Sequence, residues 1–309
     1  MRSTGNGGAV MRLSRNARSA LTDIWLAGPA TLAMIVLIFV PVIIVALMSF
    51  TDYQFGARSF NWIGGQNYIV MLTDPTARRA VTNTLVYAAI VIPVSIFLGL
   101  IVALGLHRLA QKAPRFASGL RAAYFLPVAA TLVAMAVVWQ MLLHPSLGLV
   151  NQLLAAMGQQ GPAWLSDRGL VLYTLAVIGI WQSVGYNMVL FLAGLAAIPK
   201  DLYDAAELDG ATSGWNRFWT VTWPMLGPTT LFVTVITATG AFRVFETVAT
   251  LTKGGPAFAS DVLVYAMYRE GFVYFKAGYS SALTIIFFLL VLLVTALKFG
   301  ILEKKVHYR

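Results

Sequence analysis

Six stretches of this chain run apolar for the ~20 residues that a helix needs to cross a bilayer core, near residues 24–49, 84–106, 120–143, 170–197, 229–251 and 279–300. Nothing else in the sequence constrains the fold as strongly. Inside lipid, backbone N–H and C=O groups find no water, so a spanning segment must satisfy its own hydrogen bonds as a helix or a closed barrel. Runs of this length without strand-like alternation choose the helix. The expected architecture is an all-α membrane protein with six transmembrane helices. Pro41, Pro93 and Pro127 fall inside the runs and are tolerated where neighbouring helices take up the freed carbonyls.

The composition agrees. The chain is 59% hydrophobic and 11% charged, whereas soluble domains carry about a quarter charged residues. The formal charge of +10 does not point to nucleic acid, because the basic residues lie beside the apolar runs and read as topology. Arg2, Arg12, Arg15 and Arg18 precede the first run as in a signal peptide. The run from Ile24 is too long for one, however, and has no small-residue cleavage site, so it reads as an uncleaved span. Placing the N-terminus inside puts four Lys or Arg before the first span, four after the second, two after the fourth and four after the sixth, against seven in the outer loops 50–83, 144–169 and 252–278. That bias puts both termini in the cytoplasm. Residues 1–23 read as a disordered cytoplasmic tail and 301–309 as a second cytoplasmic tail. Thiol chemistry is excluded, since there is no cysteine. His107, His144 and His307 are too scattered to form a metal site.

The most polar long segment between spans is "DAAELDGATSGWNRFWTVTWPMLGP", residues 204–228, on the cytoplasmic side of that topology. Leu202, Ala205, Ala206 and Leu208 have helical spacing, with acids on the other side and a glycine, Gly210, to end the helix. Thr212 or Ser213 then caps a second short helix from Trp215 to about Trp223, showing Phe218 and Trp219, closed by Pro224 before Pro228 opens the fifth span. Interfacial helices that bind lipid are rich in Lys and Arg. This one carries Asp201, Asp204, Glu207 and Asp209 and no base over 201–209, which fits a protein partner better than a headgroup surface.

This segment resembles the cytoplasmic coupling loop of binding-protein-dependent ATP-binding-cassette importer permeases: Glu-Ala-Ala, three residues, glycine, then a hydrophobic-proline element. Here Asp204 stands where the family usually has glutamate, followed by Ala205, Ala206, Glu207, Asp209 and Gly210, then Phe218 and Pro224. "FRVFETVATLTKGGPAFAS" (242–260), "YREGFVYFKAGYSSAL" (268–283) and "IPKDLYDAAELDGA" (198–211) resemble the sugar-type permeases, as does "GGQNYIVMLTDP" (64–75). "YREGF" and "EKKVHY" are similar to glycerol-3-phosphate permeases. The resemblance implies a multi-pass subunit of the bacterial inner membrane forming half of a carbohydrate import pathway. It also implies a coupling loop over 199–228 and a set of partners: a second homologous permease in a heterodimer, two cytoplasmic ATPase subunits, an extracytoplasmic binding protein and membrane lipid. No cofactor is expected on this chain. It has no Gly-Lys pair and hence no phosphate-cradling loop, so ATP and Mg are expected on the ATPase partner, and the chain is not itself an enzyme.

Polar residues inside spans are the remaining pointers. Trp181, Gln182, Tyr186 and Asn187 lie near mid-bilayer, with Gln182 and Tyr186 as i,i+4 neighbours, and Ser183 and Asn187 likewise. They suit a polyhydroxylated ligand, or else hydrogen-bonding glue between helices. Arg243 and Glu246 form an acid–base couple within the fifth span, spaced to pair as i,i+3. Ionisable groups there line a cavity or neutralise each other, and Arg243 leaves room for an anionic sugar derivative. A secondary transporter driven by an ion gradient is the competing class. It needs intramembrane carboxylates, and Glu246 alone qualifies.

Overall fold

The structure, a computed structural model, describes residues 27–302; side chains are described through residue 296. The tail expected over 1–23 lies outside the described residues; of that expected over 301–309, residues 301 and 302 continue the last helix and the rest lie outside the described residues. Five helical segments are long and apolar enough to cross a membrane, Gly227–Leu251 counted as one, and a sixth span arises if one sharply bent helix pair is counted as one. Among the described residues the only β pairing is a single bridge between Thr51 and Trp62.

Helix α1 (Ala27–Met48) precedes α2 (Gln66–Thr73) and the 38-residue α3 (Pro75–Lys112). α4 (Pro114–Ala129) and α5 (Leu132–Leu142) follow, bent by 101° at Ala130–Thr131. After α6 (Leu149–Ala156) comes α7 (Val171–Ala196). Two short helices, α8 (Lys200–Leu208) and α9 (residues 214–225), lead into α10 (Gly227–Phe242) and α11 (Glu246–Leu251). α12 (Leu263–Tyr268) continues through a π turn, Arg269–Val273, to α13 (Ala277–Leu302).

Three boundaries differ from the run lengths. α3 begins nine residues before the apolar run, because Asp74 caps it: the Asp74 carboxylate accepts the Thr76 N–H at 2.8 Å, and Pro75 supplies the preset φ of a first helical residue. The third run, 120–143, is not one helix. It breaks after Pro127, where Ala130 and Thr131 adopt extended backbone. Pro224 does not close α9 but sits within it. Its ring would crowd the carbonyl four residues back, and a π turn over Phe218–Thr222 relieves that, the Trp223 N–H reaching the Phe218 carbonyl five residues back. The π turn at Ile35–Phe39, just before Pro41, uses the same device.

α7 is the hub, packing on α3, α4 and α10. A Cβ at Gly185 would overlap the Tyr124 carbonyl of α4, so the two backbones meet directly. Between an outer apolar cluster (Val91, Leu175, Ile178, Phe242) and an inner one (Leu100, Met188, Phe191, Val233) lies one polar layer. Asn187, 1% exposed, donates to Ser95 Oγ at 3.3 Å and accepts from Thr237 Oγ1 at 2.8 Å, tying α7 to α3 and α10. Extra volume at a packed seam costs about 1–3 kcal/mol. Gly185→Ala should therefore lower the thermal midpoint of the purified protein. Gly105→Ala, where an added Cβ meets nothing within 4 Å, should leave it unchanged or raise it.

Candidate functional site

At one end of the bundle α8 and α9 form a braced corner. α8 stops because Gly210 turns at φ +94, a left-handed conformation that glycine adopts without strain. The Ala211 N–H then returns to the Ala206 carbonyl at 2.8 Å. Ser213 caps α9 by accepting the Asn216 N–H. Arg217 holds the two helices at a fixed angle. Its Nη2 pairs with Glu207 Oε2 at 2.7 Å and its Nε donates to the Ala211 carbonyl at 3.1 Å. Tyr203 and Thr222 share a hydrogen bond at 3.0 Å on the inner side. The ion pair is half-exposed and contributes at most ~1 kcal/mol, so its effect is geometric more than energetic.

The outward faces divide unexpectedly. Ala206 is buried with Leu195, Ile198, Val221 and Leu226, while the leucines point away from the bundle: Leu208 is 90% exposed. Asp201, Asp204, Ala205, Asp209 and Gly210 share that free surface. Phe218 is half-buried against the inner cluster, and Trp219 and Pro224 are exposed. An apolar knob flanked by carboxylates, carried on a corner that cannot flex freely, has the form of a docking surface.

Midway along the bundle the intramembrane polar residues separate. Trp181 is exposed and meets Trp139 edge-on with centroids 5.4 Å apart. Gln182 is half-buried and Tyr186 exposed. Asn187 is enclosed, with both ends of its amide engaged by neighbouring helices. Arg243 and Glu246 do not form the internal ion pair expected of them. The fifth span breaks between α10 and α11, where Phe245 takes φ −143 and ψ −58, so i,i+3 helical spacing no longer applies. Both side chains are exposed and, among the described residues, neither has an ionic partner within 4.0 Å. Broken backbone at membrane depth persists only where it is covered by protein or lines a polar cavity.

At the far end three charged side chains, Asp261, Arg269 and Glu270, are buried. Arg269 Nη1 pairs with Asp261 Oδ2 at 2.6 Å, and Glu270 lies on the guanidinium's other nitrogen at 3.4 Å. Asp261 is fully buried. Burial pushes its carboxyl up to about 6 against the pull of Arg269. Asn83 donates to the Asp261 carbonyl at 2.8 Å and Thr84 Oγ1 accepts the Leu263 N–H at 2.8 Å, fixing this segment to α3. Beside it, a cavity of about 410 Å³ opens between α5 and the end of α11, with Gln140, His144, Ser166 and Thr252 as its polar walls. The one sequence signal for the ion cluster was charge placed directly against an apolar run, Asp261 before "VLVYAM" and Arg269-Glu270 after it.

A bundle of spans with a bent third span, a broken fifth and a braced corner between the fourth and fifth defines a transport-type membrane subunit. The chain belongs to the family described as binding-protein-dependent transport system inner membrane component, whose model matches residues 75–308. It is 34% identical over 264 residues to the probable ABC transporter permease protein YurN of Bacillus subtilis (strain 168), covering 84% of this chain and 89% of that protein. It is 33% identical over 257 residues to the sn-glycerol-3-phosphate transport system permease protein UgpA of Agrobacterium fabrum, covering 82% and 85%. Among solved structures, a bacterial ABC transporter involved in the import of the acidic polysaccharide alginate superposes with a TM-score of 0.82 at 21% identity, covering 95% of this chain and 99% of that one. That likeness establishes the fold. As a permease component the chain is a non-enzymatic membrane subunit.

Removing one member of a buried ion cluster leaves the rest unpaired, at a cost of about 3–5 kcal/mol. Arg269→Leu should therefore speed hydrogen exchange across 252–268. Lys276→Ala, which removes an exposed lysine 3.9 Å from Glu270, should not.

Proposed function

We propose that this chain is one permease subunit of an ATP-driven, binding-protein-dependent importer for a carbohydrate or sugar derivative in a bacterial inner membrane. It forms half of the pathway with a second, homologous permease. Two cytoplasmic ATPase subunits bind ATP and Mg and act through residues 204–228, and an extracytoplasmic binding protein delivers the solute to the opposite end. The braced α8–α9 corner, with Leu208 and three unpaired acids turned outward, is the observation that carries the reading. A lever must be stiff and must leave its contact face uncovered. Support for a binding protein comes from the solved alginate transporter in complex with an alginate pentasaccharide-bound periplasmic protein.

Co-purification tests the coupling. A cytoplasmic ATPase should come down with the wild-type chain and be lost with Leu208→Asp, a change at an exposed position that leaves the corner intact. It should also be lost with Gly210→Pro, because proline cannot adopt φ +94. An ATPase retained by both variants, or transport by the isolated chain on an ion gradient, would sink this reading in favour of a secondary carrier.

Within this reading the solute is an anionic sugar derivative of the glycerol-3-phosphate kind. The unpaired Arg243 at the broken fifth span supports it, and so do the relatives named for that substrate. Arg243 takes the anionic group, while Glu246 and the hydroxyl and amide groups of Tyr186 and Gln182 accept and donate to hydroxyls. A charge-assisted hydrogen bond contributes about 1.5–3 kcal/mol. Arg243→Gln should accordingly raise the KM for the phosphorylated solute by about tenfold or more and leave ATPase co-purification unchanged. An unchanged KM would remove Arg243 from the pathway.

A further inference from the structure

An apolar groove of about 810 Å³ runs along α3 from Pro93 to Arg108, with α9 forming its other wall. At ~1.5 Å per residue those fifteen steps cover about 22 Å, more than the ~15 Å of hydrocarbon in one leaflet. We propose that this groove binds an anionic glycerophospholipid, with one acyl chain lying along α3 and the phosphate held at Arg108.

The walls divide as such a ligand requires. Along α3 they are Ile96, Phe97, Leu100 and Ile101, and Phe97 is 62% exposed. At the mouth they are amphipathic. Trp215, Trp219 and Trp223 rise along α9 with neighbouring ring centroids 5.6 and 6.1 Å apart, and Trp215 is 70% exposed. Tryptophan settles at the headgroup level, where its ring lies in the acyl boundary and its N–H meets polar groups.

Charge complementarity selects the headgroup. The Arg108 guanidinium lies at the junction of α3 and α9, with Nη2 3.4 Å from where a Cβ on Gly214 would sit. Among the described residues no carboxylate comes within 4.0 Å of it. Lys112, Arg115 and Arg121 follow it in the chain, and no acidic residue occurs between Asp74 and Asp167.

Photocrosslinking in the assembled transporter tests this. A benzoyl-phenylalanine is placed at Ile101 and, separately, at Phe97; the complex is irradiated in native membranes, purified and analysed by mass spectrometry. Phospholipid adducts are expected at both positions. Anionic headgroups should be enriched about fivefold over the bulk membrane, the factor that ~1 kcal/mol per basic side chain at a membrane surface implies. Arg108→Gln should abolish the enrichment and leave the total lipid adduct unchanged. A peptide adduct, which would place a helix of another subunit in the groove, overturns the proposal. So does an absence of lipid adduct, or a wild-type headgroup distribution equal to that of the bulk.

Discussion

Helix α7 touches α3, α4 and α10 at once, and the rest of the structure depends on that three-way contact. Between helices in lipid there is no hydrophobic driving force, so association rests on close packing and interhelical hydrogen bonds. Glycine provides the first: at Gly185 the α4 backbone occupies the space a side chain would need, and at Gly194 Thr229 of α10 does so. Asn187 provides the second, since its amide joins Ser95 and Thr237 across two interfaces. The polar layer also sets register. Sliding α7 by one turn against α3 would leave an amide unsatisfied in a dry interior, a cost the apolar layers above and below would not impose by themselves.

Around this rigid seam the irregular backbone is concentrated rather than scattered. Two π turns absorb prolines without stopping their helices. Two true interruptions, at Ala130–Thr131 and Arg243–Phe245, bend or break a span. α11, beyond the second interruption, packs on α5, beyond the first, so the two broken spans share one outer subassembly. The cavity bounded by Gln140, His144, Ser166 and Thr252 lies in that subassembly, at the end away from α8.

The spans were legible in the sequence because apolar run length answers a question lipid asks directly. Their interruptions were not. No glycine or proline occurs at Ala130–Thr131 or Arg243–Phe245, so local signals read straight through both, and the Arg243–Glu246 couple was paired on the assumption of a continuous helix. The early start of α3 was legible in principle from Asp74-Pro75, a cap followed by a preset first turn, but hydropathy outweighed it. Of the polar corner, the two helices and the role of Gly210 were readable. The orientation of Leu208 was not, because helical spacing gives a stripe without saying which side is buried. Asp261 and Arg269 were invisible as partners, because they lie eight residues apart at the two ends of α12.

The two ends of the molecule handle charge in opposite ways, and this bears on how movement would pass between them. Beyond α11 the Asp261, Arg269 and Glu270 charges are buried together, while Asn83 and Thr84 tie the segment to α3. At the α8–α9 corner only Glu207 is used internally, and the remaining acids face outward. From there the path into the bundle is nearly uninterrupted. The Leu226 N–H bonds to the Thr222 carbonyl at 3.0 Å and the Thr230 N–H to the Leu226 carbonyl at 2.7 Å, so α9 and α10 are joined by helical hydrogen bonds. A displacement applied at α8 would pass through this junction, where Leu226 has ψ −1 and Gly227 and Pro228 open α10. Beyond it the next interruption is Arg243–Phe245, next to Glu246. The corner and the break are thus joined by the 16 residues of α10.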